Sequence, residues 1–262
     1  MASFETSHKP DPAIGSAASP ASDPGLARPA IVIPAYNEEG SVGEVIAEIR
    51  EACNFPVYLV DDASDDNTVG TARRAGARVI PLATRLGAWG ATQTGIRFAA
   101  ERGHDCVITM DADGQHDPRH VHQLLAALRD CPADTCIGSW PQRGSASRKL
   151  AWRLLRATSG IRLEDLTSGY RAYNLRAIEV LTDWRATFLD YQDVGVLSLL
   201  RQQGITVVDV RTEMRLRQNG YSRVFHSWLI VFYYMCHTLL LGLSKRRIRS
   251  YRAPTSGAVA KS

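Results

Sequence analysis

The sequence predicts an α/β fold, with a mostly parallel central sheet flanked by helices, and three observations carry that prediction. Short apolar runs of strand length alternate with segments whose apolar residues recur at helical spacing, the pattern of βαβ units. Clusters rich in Asp and Glu follow three of the strands, on the rim where open α/β sheets bind ligands. The 262 residues suffice for one sizeable domain with a buried core and are short for two.

Each element follows from local pattern. Ala30–Pro34 is an apolar run closed by proline and opens the domain as a buried strand. Val42, Val45, Ile46 and Ile49 then share one helical face, so residues 41–52 form an amphipathic helix. Val57–Val60 is a second strand, ending in Asp61 and Asp62. A helix over 66–75, a strand at Arg78–Leu82, a helix over 88–102 and a strand at Cys106–Met110 continue the alternation. Beyond Asp111 the pattern predicts a helix over 118–129, a strand at Thr135–Ser139 and a basic helix over 145–157. Helices over 174–182 and 191–202 and a last strand at Ile205–Val210 complete it.

The tails differ from this core. Residues 1–28, rich in Ala, Ser, Pro and Asp, lack a basic start followed by an apolar stretch and read as a disordered leader. The domain spans 29–225, an apolar and basic segment covers 226–252, and 253–262 reads as a disordered end. Trp228–Leu243 is sixteen mostly apolar residues, a helix of roughly 24 Å against the ~30 Å bilayer core. It suits an interfacial helix, and the Lys245, Arg246, Arg247, Arg249 and Arg252 that follow favour anionic lipid. A buried helix of a dimer interface is the competing reading, which leaves a homo-oligomer open.

Hydrophobic residues at 45% and charged residues at 22% exclude wholesale disorder and a multi-span membrane protein. The net charge of +4 is concentrated at the C-terminal end, where nine Lys or Arg and no Asp or Glu follow Met214. No stacking motif of aromatic and basic residues accompanies them, so nucleic acid is not an expected partner. Five cysteines without a CxxC pair point to a reducing compartment.

Asp111-Ala112-Asp113 is the sharpest chemical signal. Two carboxylates at i and i+2 beyond a strand project to one side, where they suit a hard cation such as Mg²⁺ or Mn²⁺ that completes its shell with substrate phosphates. By itself the triplet also fits a solvated turn. Asp61 and Asp62 fit either a helix cap built with Ser64, Asp65 and Thr68 or acceptors for a nucleobase edge or ribose. His116, His120 and His122 lack the Cys or carboxylate spacing of a zinc site and read as solvated helix residues.

Three stretches in one order are more specific. Ile31–Glu39 (IVIPAYNEE), Val60–Thr68 (VDDASDDNT) and Met110–Pro118 (MDADGQHDP) together resemble the family-2 glycosyltransferases, whose fold is the Rossmann-like GT-A fold. Asp165–Arg171 (DLTSGYR) and Arg217–Arg223 (RQNGYSR) are similar to elements of the dolichol-phosphate mannosyltransferase-like, or polyprenyl-phosphate glycosyltransferase, branch. The resemblance covers residues 30–225. It implies a nucleotide pocket lined by Pro34, Tyr36, Glu38, Asp61, Asp62 and Gly90, and a metal and diphosphate site at Asp111, Asp113 and Gln115. It also implies phosphate contacts from Arg171 and Arg217 with Ser222. Arg85–Ala91 keeps glycines of the family's Asn-x-Gly-Lys-Gly-x-Ala stretch without its Asn and Lys, and Trp140 stands where an Arg is common.

The expected activity is inverting transfer of a sugar from a UDP- or GDP-sugar to a polyprenyl phosphate, by an enzyme peripheral to the cytoplasmic face of a membrane. A lipid phosphate is already an anionic nucleophile and needs positioning more than a general base. A hydroxyl acceptor on a glycan, lipid or protein is the alternative, with Asp193 as the catalytic base. A nucleotide-sugar-binding protein without catalysis ranks last, because the metal motif is complete.

Overall fold

The computed structural model describes residue 26 and residues 28–140, 168–189 and 194–215. The expected helix over 145–157, Asp193, Arg217, Ser222 and the segment 228–243 lie outside the described residues, as do most of the leader and the C-terminal end.

The strands are β1 (Pro29–Ala35), β2 (Val57–Asp61), β3 (Arg78–Pro81), β4 (Cys106–Thr109), β5 (Thr135–Ser139), β6 (Arg171–Asn174) and β7 (Val207–Arg211). The helices are α1 (Val42–Ala52), α2 (Thr68–Arg74), α3 (Gly87–Glu101), α4 (Val121–Asp130), α5 (Leu175–Thr182), α6 (Trp184–Thr187) and α7 (Val194–Gln202). A 3₁₀ turn at Pro118–His120 precedes α4. The seven strands form one sheet in the order β3-β2-β1-β4-β6-β5-β7. Neighbours run parallel except at β6, which is antiparallel to both β4 and β5. The elements expected from pattern within the described residues are present with shifts of a few residues. β6 and the short α6 were not anticipated.

The apolar runs read as strands because both faces of the sheet are covered. In β1 alternate residues divide between two cores, Ile31 and Ile33 facing one and Ala30 and Val32 the other. The first core is closed by α1 through Val42, Val45, Ile46 and Ile49 and by α4 through Val121 and Leu124. The second is closed by α3, α5 and α7. Gly95 brings α3 directly onto the sheet: a Cβ there would stand 2.3 Å from Val32 Cγ1 and 3.0 Å from Val60 Cγ2.

Candidate active site

The loops after β1 and β2 are tied into one surface. The Asn37 amide donates to Ser64 Oγ at 2.9 Å, the Asp65 amide to Asn37 Oδ1 at 2.8 Å and the Glu38 amide to Thr68 Oγ1 at 2.8 Å. Asn37 tolerates its left-handed φ of 53° because a short polar side chain can bond locally.

The adjacent acids Asp61 and Asp62 have different environments. Asp66, and not either of them, accepts from the Thr68 amide at the start of α2. Asp62 instead reaches across to α3, accepting from the Leu86 amide at 2.6 Å and the Gly87 amide at 2.9 Å, and so occupies the positive end of that helix. Asp61 Oδ2 accepts from the Ser64 amide at 3.2 Å, while its Oδ1 is buried with no hydrogen-bond partner. A buried carboxylate oxygen left open is costly without a ligand and is what a donor such as a base N–H would complete.

Tyr36 lines the same rim, its ring carrying the Arg85 guanidinium at 3.9 Å from the centroid. Arg85 Nε also stands 3.9 Å from Asp62 Oδ2. Arg85 thus offers a cation in the stretch whose expected Lys is missing, a contact that reading by motif alone overlooked. Pro34 sits in register with Val60, the Glu38 carboxylate accepts from Ser41 Oγ at 3.0 Å, and Gly90 packs in the first turn of α3 against Leu86.

Two strands away from Asp61, β4 ends at Thr109 and the chain turns through Asp111 and Asp113. The two acids are partly exposed and Ala112 between them is 4% exposed. Asp113 Oδ1 accepts from the Gln115 amide at 3.1 Å, and Gly114 follows at φ 75°. The Asp111 side chain is 41% exposed and lies against the Gly169 backbone, where a Cβ would meet its Oδ1 at 2.4 Å. Thr109 Oγ1 donates to Gly169 O at 2.8 Å, which ties the two segments together. Among the described residues no three His, Cys, Asp or Glu side chains are grouped to hold a metal. Two accessible hard oxygen donors on one turn nonetheless fit a Mg²⁺ or Mn²⁺ ion that draws further ligands from water and phosphate.

Behind this turn His116, Tyr170, Asp117 and Arg215 form a packed layer. His116 was expected in solvent and is 2% exposed, its ring stacked on Tyr170 at 5.0 Å and 18°. Tyr170 Oη donates to Asp117 O at 3.1 Å, and burial pushes the phenol's pKa up. Asp117 caps the 3₁₀ turn, and its hydrogen bonds with the Arg119 side chain hold its carboxyl down to about 2. Arg215 closes the layer, its amide donating to Gln115 O at 2.9 Å and its guanidinium meeting Glu48 Oε1 at 2.5 Å.

Residues 30–186, which include both acidic strand ends and the Gly169 turn, match the model of glycosyl transferase family 2. The chain belongs to that family. Among its relatives is the undecaprenyl-phosphate mannosyltransferase of Micrococcus luteus, 36% identical over 171 residues, or 57% of this chain and 68% of the relative. Another is the polyprenol monophosphomannose synthase of Mycolicibacterium smegmatis, 30% identical over 224 residues, or 77% of this chain and 84% of the relative. The fold also matches glucosyl-3-phosphoglycerate synthase from Mycobacterium tuberculosis, solved with Mn²⁺, UDP and phosphoglyceric acid. The TM-score is 0.60 at 21% identity over 84% of this chain and 78% of that one. At that identity the likeness speaks for a shared GT-A architecture.

In this family-2 domain Arg171 has an unexpected place. Its side chain is fully buried at the head of β6 and its Nε donates to Ser168 O at 2.8 Å. From there it supports the turn that presents Gly169 to Asp111. Tyr36, Asp61, Asp62, Asp111 and Asp113 come to one rim, with Pro34, Glu38, Gly90 and Gln115 beside them, and Arg171 lies at the same end of the sheet, in register with Thr109, with its side chain buried.

Proposed function

We propose that this family-2 glycosyltransferase moves a sugar from a UDP- or GDP-sugar to a polyprenyl phosphate at a membrane surface, with inversion at the anomeric carbon. The observation that carries the reading is the shared rim of β1, β2 and β4. It sets an open, buried carboxylate oxygen of Asp61 roughly 10 Å, two strand spacings, from the paired acids after β4. That span suits a nucleoside diphosphate, with its base at Asp61 and its diphosphate toward Asp111 and Asp113.

Asp61 accepts a hydrogen bond from the base, while Asp62 holds the Leu86–Gly87 amides so that the Arg85–Tyr36 pair flanks the pocket. Asp111 and Asp113, with the Gln115 side chain, would hold Mg²⁺ or Mn²⁺. A divalent ion bound there supplies Lewis-acid stabilisation of the charge that builds on the leaving diphosphate. Arg217 and Ser222 bind phosphate in this reading, and Arg171 keeps the Ser168–Gly169 turn in place. The acceptor phosphate oxygen attacks the anomeric carbon as an anion, so no residue has to remove a proton, and Asp193 is not required as a base.

The relatives' names, undecaprenyl-phosphate mannosyltransferase and polyprenol monophosphomannose synthase, support the acceptor class. Exposed apolar groups at the same rim support a lipid surface. Leu86 is 52%, Trp184 65% and Phe188 75% exposed, and α6 is tied to the first turn of α3 by the Trp89 Nε1 donation to Ala186 O at 2.7 Å. No helix among the described residues is long and apolar enough to cross a membrane.

The test is sugar transfer from labelled UDP- and GDP-sugars into polyprenyl phosphate presented in vesicles, with and without Mn²⁺. Asp111→Asn and Asp113→Asn should each lower metal-stimulated turnover on the order of 100-fold or more, with little change in thermal stability. Full turnover in both variants would refute the metal assignment.

A further inference from the structure

Three separate stretches of the sequence meet at His116. Its backbone pairs with Met214 in an antiparallel bridge, its ring stacks on Tyr170, and its Nδ1 accepts the Asp111 amide hydrogen at 3.1 Å. An accepting Nδ1 carries no hydrogen, so the hydrogen of the neutral ring lies on Nε2. Nε2 is 3.6 Å from Asp111 Oδ2, beyond hydrogen-bond range but close enough for its N–H dipole to favour that carboxylate orientation. On the other side, Gly169 leaves room for the same carboxylate, which a Cβ there would meet.

We propose that His116 is a positioning residue for the cation site. It fixes the backbone of Asp111 by accepting its amide and fixes the carboxylate by facing it, while the Tyr170 stack holds the ring at that angle. The inference rests on reading Asp111 as a metal ligand. At 2% exposure the imidazole is packed behind the carboxylate and acts through it. Groups that hydrogen-bond a ligating residue, here through its backbone amide, set its orientation, and their loss typically weakens metal binding roughly 10–100-fold.

The test is Mn²⁺ affinity of the full chain, read from the electron paramagnetic resonance of free Mn²⁺ with UDP and with GDP present in turn. His116→Phe keeps a ring on Tyr170 and removes both nitrogens, and its Mn²⁺ Kd should rise roughly 10-fold or more. His116→Asn returns an acceptor to the Asp111 amide and should bind Mn²⁺ between His116→Phe and the parent. It also carries the test if the Phe variant does not fold. Thermal melts run alongside separate positioning from packing. A lower melting temperature with the Mn²⁺ Kd of the parent in both variants would overturn the proposal, as would parental values for both quantities. Asp111→Asn keeps the two readings apart. If it weakens Mn²⁺ binding and the His116 variants do not, His116 has no positioning role, and if it leaves Mn²⁺ binding intact, the metal site itself is misplaced.

Discussion

At Gly169 the absence of one methyl group decides where a carboxylate can stand. The Asp111 side chain occupies the space a Cβ would take, and Gly169 does not adopt a left-handed φ, so alanine fits the backbone there but not the space. Gly169→Ala should therefore shift the carboxylate and leave the fold nearly as stable, within about 1 kcal/mol in urea unfolding. Its Mn²⁺ affinity, read by titration, should fall roughly 10-fold or more, because the ligand no longer points the same way. Residue identities along the rim were legible in the sequence, since acids after apolar runs mark strand ends. Their roles were not, because Asp61 and Asp62 are adjacent and chemically alike. Only the Leu86 and Gly87 amides, brought across from α3, make one a helix cap and leave the other with an open oxygen. His116 was misjudged for the same kind of reason: an imidazole near a turn is indistinguishable by spacing from a solvated one until Tyr170 is laid against it.

The elements found by periodicity are those whose burial is visible within one segment. In α1, Val42, Val45, Ile46 and Ile49 all face the core. β6 escaped detection because Arg171-Ala172-Tyr173-Asn174 is short, lacks β-branched residues and begins with an arginine, which local pattern places in solvent. Its strand character comes from β4 on one side and β5 on the other. The α3 contact with the sheet depends likewise on a feature that looks unfavourable locally, a glycine inside a helix. Gly95→Ala should improve helix propensity yet destabilise the protein by about 1–3 kcal/mol, since its methyl would press on Val32 and Val60. Chemical denaturation measures this directly, and a gain in stability would mean that α3 can lift off the sheet at no cost.

Across the whole molecule, the network of Asp117, Arg119, Arg215 and Glu48 joins α1, the 3₁₀ turn before α4 and the chain leaving β7. Asp117 titrates near 2, below its ordinary 3.8, mainly because of its hydrogen bonds with the Arg119 side chain. A carboxyl depressed in the folded state adds stability that is complete above its unfolded pKa and is lost as pH falls through the folded value. The difference in urea midpoint between the parent and Asp117→Asn should therefore be full above pH about 4 and shrink as pH falls toward about 2. A gap that stays constant over that window would show the network to be neutral toward folding. Because Arg119 is largely exposed, added salt should narrow the gap at neutral pH as well. The sequence alone determined the strand and helix alternation, the acidic rim and the family, since each depends on residues close together in the chain. The tertiary structure decided which acid caps α3 and which keeps an open oxygen, why Arg171 is buried and how Tyr170 holds the His116 ring. Those outcomes depend on partners brought in from elsewhere in the chain, the Leu86 and Gly87 amides for Asp62 and the Tyr170 ring for His116, which no local spacing encodes.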